Sequence, residues 1–351
     1  MRELTKRQQF IVNQVICAHR PLSIKEIEQR MTTVYDISRD TIWRELTLLQ
    51  KNGHIKSAGL GPATIYYAVS DLLLPIDMES YFIKHQDSRQ ITKETNSVFF
   101  KRLSQTNLLS DIDVAKVNHG IALYRRNVTA LAHDIHKHEW ERFIIDLAYK
   151  SSAIEGNTYT LLETEILIKT QQRAAGRDEK EALMILNHKL AFDLIMENLS
   201  CYKKITLDNI IDLHWQLTRD LDVNSGLRHH AVGISGTNYR PIDNELVLRE
   251  HLERAIEAAN KKGNPVEQAI VISGLIIYLQ PFVDGNKRTA RMVANAVLLA
   301  HNIAPISYRD IDEAYYKKAA ILLYEQHNFH HYGRILLDSL LFSLTNYTVK
   351  V

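Results

Sequence analysis

Two apolar runs, Ala269–Leu279 and Met292–Leu299, are separated only by Gln280-Pro281-Phe282-Val283-Asp284-Gly285-Asn286-Lys287-Arg288-Thr289-Ala290-Arg291. Uncharged runs of this kind predict buried helices. The segment between them must turn the chain inside a core, and Pro281, Asp284, Gly285 and Asn286 supply the turn chemistry. Such a turn opens the second helix with free backbone N–H groups, which favour an anion. Lys287, Arg288 and Arg291 add positive charge at that point, and Asp284 offers a carboxylate that would hold Mg2+ against phosphate oxygens. These residues predict a phosphate site; the alternative is a capped interhelical turn with solvated charges.

Helix-period patterns run through most of the 351 residues, with 7 Pro and 13 Gly. Glycine is locally dense only at 53–61 and 226–236, which predicts a mainly α protein with two small β elements. A hydrophobic content of 45 % suffices for one large core and a smaller one. A net charge of +2 argues against a whole-chain polyanion binder but leaves room for a local basic patch. Cys17 and Cys201 sit in neither a CxxC nor a CxxH pattern, and both read as small buried hydrophobes. The charged, polar N-terminus lacks a signal-peptide core, and no stretch is long and apolar enough for a membrane span. The expected location is cytoplasmic.

Residues 1–72 read as a separate small domain. Thr5–Ala18 is an amphipathic helix, Ser23 caps a second through Met31, and Ser38 caps a third that buries Ile42, Leu46 and Leu49. Asn52-Gly53-His54 is a stop, and Ile55–Ala58 with Ala63–Val69 forms a hairpin around Gly59–Pro62. This outline resembles a winged helix-turn-helix, most closely in the run Ser38-Arg39-Asp40-Thr41-Ile42-Trp43-Arg44-Glu45-Leu46. That resemblance implies a recognition helix whose Arg39, Thr41 and Arg44 reach bases or phosphates, with Lys51 and Lys56 meeting the DNA backbone. Asp36, Asp40 and Glu45 offset much of this charge, so a protein-interaction or dimerisation role stays open. Residues 73–95, from Leu73-Leu74-Pro75, read as a connector with a short helix, and 96–351 as one long helical domain that only 226–242 interrupts.

The loop Gln280–Arg291 resembles the Fic signature, His-Pro-Phe-x-Asp/Glu-Gly-Asn-Gly-Arg-x-x-Arg, matching it at Pro281, Phe282, Asp284, Gly285, Asn286, Arg288 and Arg291. Fic proteins mostly transfer AMP from ATP to a hydroxyl of a target protein. The resemblance implies that Asp284 holds the metal and that the backbone of Gly285–Lys287, assisted by Asn286, cradles the α-phosphate. Arg288 would grip the β- and γ-phosphates, and Arg291 the γ-phosphate. Upstream, residues 151–156, from Ser151 to Glu155-Gly156, resemble the family's inhibitory motif, in which Glu155 would pair with Arg291 and compete with ATP. Residues 226–242 resemble the Fic flap. There Val232-Gly233-Ile234-Ser235-Gly236-Thr237 would form a β-hairpin that adds the target's backbone as an extra strand. The expected fold is therefore a Fic-type helical domain with a hairpin flap, preceded by a small winged-helix α+β domain.

The chain departs from the signature at two positions. Gln280 stands where the family keeps its catalytic histidine, and an amide is not basic near neutral pH. Losing a positioned base costs about 10²–10⁴ in rate, so AMP transfer is expected to be weak or lost while ATP binding survives. A nucleotide-sensing pseudoenzyme, a different reaction and an engineered inactivating change all stay open. Lys287 replaces a glycine; the same Asn-Lys-Arg run occurs in the related Doc proteins, which phosphorylate their target, and in ordinary Fic proteins. Besides AMP transfer, two functions remain: a nucleotide-responsive DNA-binding regulator, and removal of AMP from a modified protein with Glu155 orienting the water. The implied ligands are ATP and Mg2+. The implied partners are a target protein and DNA through residues 1–72, with a homodimer left open. The scattered histidines, His188 and His214 among them, read as ordinary surface or core side chains.

Overall fold

The computed structural model describes residues 4–17, 21–52, 54–68, 71–73, 75–91, 97–130 and 133–347. Its first elements are α1 (Lys6–Cys17), β1 (Leu22–Ser23), α2 (Ile24–Thr32), α3 (Arg39–Lys51), β2 (Ile55–Ala58) and β3 (Ile65–Ala68). Ser23 opens α2 through a capping box with Glu26, and the Ser38 hydroxyl accepts from the Thr41 N–H at the start of α3. Strand β3 lies between β1 and β2 and is antiparallel to both, with Leu22 opposite Tyr66 and Ile55 opposite Ala68. Ile11, Val15, Ile27, Leu46, Leu49 and Ile55 fill a core between helices and sheet. Strand β1 escapes the sequence reading because two residues are too few to show alternation. The β2–β3 turn requires Gly59, at φ +88°, where a Cβ would sit 2.6 Å from the Ala63 carbonyl oxygen. The expectations for Ala18, Gly53, Val69 and Leu74 lie outside the described residues.

Two short segments follow, α4 (Met78–Ile83) and α5 (Ser97–Gln105), and then α6 (Asp111–Ala130), α7 (His133–Ala153), α8 (Leu161–Thr170) and α9 (Glu179–Glu197). The chain continues through α10 (Leu207–Thr218), α11 (Glu245–Asn260), α12 (Pro265–Leu279), α13 (Asn286–Ala300), α14 (Glu313–Gln326) and α15 (His330–Asn346). Helix accounts for 67 % and strand for 3 %, so the protein is mainly α. Helix α12 is buried from Val266 through Leu279, and α13 at Asn286 and from Arg288 through Ala300. Helices buried on every side belong at the centre of a domain. Accordingly α12 packs on α13, with α11, α14 and α15 around the first and α7, α9 and α10 around the second. The turn predicted from the two apolar runs is thereby held in the middle of the helical layers.

Three expectations need correction. No strand forms within 226–242, only bends at 226–227 and 229–230, a turn at 235–236 and irregular backbone between them. The reason is local: the Arg228 guanidinium takes the His230 and Ile242 carbonyls, acceptors that a pairing strand would otherwise use. Residues 171–178 and 301–312 are further irregular interruptions. Cys201 is exposed, because the short 3-10 turn Leu199–Lys203 that carries it buries Tyr202 instead. Among the described residues no helix is long and apolar enough to cross a membrane.

Gly274 lets α12 approach the ring of Phe329: a Cβ there would sit 2.4 Å from Phe329 Cε1. Gly274→Ala should therefore overpack the core and cost about 1–3 kcal/mol, read as a lower urea midpoint. An unchanged midpoint would contradict this packing.

Candidate functional site

Helix α12 ends where Gln280 steps into the left-handed region, at φ 48° and ψ 59°, with its N–H still bonded to the Ile276 carbonyl. Gly285, at φ 78°, makes a second left-handed step and opens α13. A Cβ on Gly285 would also meet Thr218 Cγ2 at 2.9 Å, so conformation and space both call for glycine. Asn286 staples the turn: its Oδ1 accepts from the Phe282 N–H at 2.9 Å and its Nδ2 donates to the Phe282 carbonyl at 2.8 Å. The Asn286 side chain is thus committed to the loop itself. Beneath it, the His214 ring of α10 stacks on Phe282 with centroids 3.6 Å apart, and His214 Nε2 lies 3.0 Å from the Asp284 carbonyl oxygen. A carbonyl only accepts, so Nε2 carries the proton. Burial pushes the His214 pKa down to about 4 and keeps the ring neutral.

The loop's polar side chains divide into two groups. Gln280 Nε2 donates to the Ile277 carbonyl at 2.6 Å and lies 3.4 Å from the Tyr324 hydroxyl. Arg288, itself buried, joins Asp284 Oδ2 at 3.0 Å and the Leu217 carbonyl at 3.3 Å. The Asp284 side chain stays 67 % exposed despite that contact.

Arg291 is 1 % exposed and draws its partners from the end of α7. Its Nε donates to Ser151 Oγ at 2.9 Å, and its Nη2 to the Ser151 carbonyl at 2.8 Å and to Glu155 Oε1 at 2.9 Å. The second Glu155 oxygen lies 3.2 Å from Lys287 Nζ. Burial alone would raise the Glu155 pKa, but the charges of Arg291, Lys287 and Arg288 outweigh it and hold the carboxyl at about 2. Gly156, at φ +96°, ends this segment. His188 of α9 completes the arrangement, with Nδ1 2.7 Å from the Met184 carbonyl and Nε2 2.7 Å from Ser151 Oγ. The proton on Nδ1 goes to the carbonyl, so Nε2 accepts from the Ser151 hydroxyl, whose oxygen is left to accept from Arg291. Burial pushes the His188 pKa down to about 3, which preserves this one direction of donation at neutral pH.

Residues 226–242 are fastened to the loop from inside. The Arg228 N–H donates to the Pro281 carbonyl at 3.0 Å, and its buried guanidinium to the carbonyls of Gln280 at 2.6 Å, His230 at 2.8 Å and Ile242. Along this stretch Val232 and Ile234 are half-buried, Gly233, Ser235 and Gly236 exposed, and Thr237 buried. The turn is also tied to the segment around α4. Arg89 Nε and Nη2 each reach a Glu325 oxygen at 3.0 Å, Arg89 also donates to the Gly236 carbonyl, and Asn238 Nδ2 donates to Asp87 Oδ1 at 2.8 Å.

Of the N-terminal candidates, Arg39 pairs with Glu28 at 2.7 Å and the Thr41 hydroxyl lies 3.1 Å from that of Ser38. Arg44, Lys51 and Lys56 are exposed. Glu45, which the sequence sets against them, turns inward and accepts from Gln8 Nε2 at 2.5 Å.

The residues singled out at 151–156 and 280–291 thus meet, whereas Arg39, Thr41, Arg44, Lys51 and Lys56 lie on the elements that surround the separate N-terminal core. Sequence reasoning missed Arg228, His188, His214 and Arg89. His214 and His188 carry a usable signal, since the first shares the buried face of α10 with Ile210, Leu213 and Leu217 and the second that of α9 with Ile185, Ala191 and Phe192.

Residues 204–298 match the model of the Fic/DOC family. Over 162 residues the chain is 30 % identical to a protein adenylyltransferase Fic of Drosophila virilis and to that of Drosophila melanogaster. Each match covers 45 % of this chain and 33 % of the relative, so the chain spans about a third of the length of these curated relatives. The fold is similar to a Fic-domain-containing signaling protein of Bacteroides thetaiotaomicron, with TM-score 0.57, 18 % identity, and coverage of 66 % of this chain and 94 % of the other. It is also similar to Fic-1 (residues 134–508) of C. elegans, with TM-score 0.56, 19 % identity, and coverage of 71 % and 79 %.

The depressed Glu155 carboxyl has a defined pH signature. Its contribution to stability is complete above its ordinary pKa of 4.5 and is lost as pH falls from there through about 2. Urea unfolding of the wild type and Glu155→Gln should differ by roughly 2–3 kcal/mol at pH 7, with the gap narrowing below pH 4.5. A gap independent of pH down to 3 would contradict the ion pair.

Proposed function

We propose that this chain is an auto-inhibited, nucleotide-binding Fic protein that binds ATP with Mg2+. Its AMP transfer to a target-protein hydroxyl is slowed or lost because Gln280 occupies the place of the base. The observation that carries this reading is the grip of Glu155 on Arg291 at 2.9 Å, beside the N-terminus of α13. A buried arginine at a helix N-terminus is a phosphate-binding arrangement, and a carboxylate seated on it competes with an anionic ligand.

The donor set fits Mg2+, which takes one or two carboxylates and fills its remaining positions with phosphate and water. Asp284 is a largely exposed carboxylate just ahead of α13 and would hold the ion. When bound, Mg2+ would neutralise charge on the phosphates. The backbone N–H groups of Gly285–Lys287 would receive the α-phosphate, while Asn286 keeps them in place through its bonds to Phe282. Arg288 would face the β- and γ-phosphates, and Arg291 would take the γ-phosphate once Glu155 withdraws. Residues Val232–Thr237 would present backbone to the target. Gln280 offers an amide whose nitrogen is already committed to the Ile277 carbonyl, so it can orient a hydroxyl but cannot take its proton.

Labelled-ATP incubation of the wild type, Glu155→Gly, Gln280→His and the double variant tests this. Binding of ATP should tighten about tenfold or more in Glu155→Gly, and label should pass to protein efficiently only in the double variant. No ATP binding by Glu155→Gly, or no transfer by the double variant, would overturn the reading.

A second function is favoured by the inward turn of Glu45. With Glu45 turned inward, Arg44, Lys51 and Lys56 are exposed cations on α3 and β2, offset by the exposed Asp36 and Asp40. We infer a winged-helix unit at residues 1–72 that contacts DNA phosphates, joined through residues 73–95 to the Fic domain at 96–351. Lys51→Ala and Lys56→Ala should each weaken DNA binding across all sequences and reduce its salt dependence by about one phosphate contact. Binding that is insensitive to both substitutions and to salt would exclude this surface.

A further inference from the structure

The inhibitory carboxylate is held by two cations. Glu155 gives one oxygen to Arg291 at 2.9 Å and the other to Lys287 at 3.2 Å. The two cations differ in kind. Arg291 is 1 % exposed and is also bonded to Ser151 and its hydroxyl, so it stays in place with or without Glu155. Lys287 is 29 % exposed, and its ammonium sits on a flexible stem in the first turn of α13. It is also the residue of α13 that breaks the otherwise continuous burial from Asn286 to Ala300.

Resting on the nucleotide-binding reading above, we propose that Lys287 is a two-way residue. With Glu155 seated, its ammonium locks the inhibitory carboxylate. With Glu155 withdrawn, the same ammonium turns to the nucleotide's phosphates. The local charges favour both halves. An ammonium next to a helix N-terminus, with Arg288 and Arg291 close by, is stabilised by a nearby anion in either state. Glu155 is that anion when the site is closed, and a phosphate oxygen is the anion of matching charge when it is open. A glycine at position 287 could play neither part.

The two roles act in opposite directions on ATP affinity. Losing the phosphate contact weakens binding, while losing the lock makes the site easier to open. They offset each other when Glu155 is present and cannot do so when it is absent, so the effect of Lys287 must depend on Glu155. A double-mutant cycle isolates this dependence.

Binding of ATP with Mg2+ to the full chain is measured for the wild type, Lys287→Met, Glu155→Gly and the double variant. Lys287→Met keeps the stem length and removes the charge. In the Glu155→Gly background it should weaken ATP binding about five- to tenfold. In the wild-type background its effect should be at least about threefold smaller, or of opposite sign, the scale expected for a partly exposed ion pair. Equal losses in both backgrounds would remove the lock and overturn the proposal. So would no loss in Glu155→Gly, which would remove the phosphate contact. Either result leaves the nucleotide-binding reading intact provided that Glu155→Gly binds ATP. Failure of Glu155→Gly to bind ATP at all would overturn both. Matching urea midpoints for Lys287→Met and wild type would confirm that the fold is unchanged.

Discussion

Arg291 is a permanent cation buried in the helical core, 1 % exposed. Guanidinium burial of this kind costs several kcal/mol unless the charge is paired, and here Nε and Nη2 are bonded while Nη1 is buried with no hydrogen-bond partner among the described residues. The pairing comes from another part of the chain: Ser151 supplies a hydroxyl and a carbonyl, and Glu155 supplies the compensating charge. His188 fixes the direction of the Ser151 hydroxyl from behind. The end of α7 is therefore positioned by the needs of one arginine on α13. A group that could replace Glu155 must be an anion of similar reach, and the helix N-terminus beside it favours the same class of ligand.

The rest of the site follows from keeping a turn rigid between two fully buried helices. Gln280 and Gly285 take left-handed steps, Asn286 ties back to Phe282, and His214 supports the Asp284 carbonyl. Arg228 satisfies the carbonyls at the end of α12 and in 226–242 at once. Arg89 joins that stretch to Glu325 and to the segment around α4. The loop is thus fixed from three directions, while the Asp284 side chain and the stretch 231–236 stay open to solvent to different degrees.

Much of this was legible in the chain before folding. The apolar runs around 280–291 announced two buried helices, and the turn residues between them announced an anion-favouring start to α13. The pairing of Glu155 with Arg291 was expected from resemblance and not from spacing, since more than a hundred residues separate them. The sequence places Lys287 among the phosphate-side charges, and only the fold brings it to Glu155. The hairpin expected at 226–242 failed for a reason invisible in a pattern of small and apolar residues: a buried arginine consumes the carbonyls that strands would share. Glu45 shows the same limit of a sequence pattern, because a charge count cannot tell an outward carboxylate from one that meets Gln8.

The central claim is that Glu155 occupies a phosphate position on Arg291. The most direct measurement is a crystal structure of Glu155→Gly soaked with ATP and Mg2+. The account predicts nucleotide density over the first turn of α13, with a terminal phosphate oxygen at Arg291 and the metal beside Asp284. Nucleotide bound away from α13, or a loop at 280–291 that carries none, would contradict it.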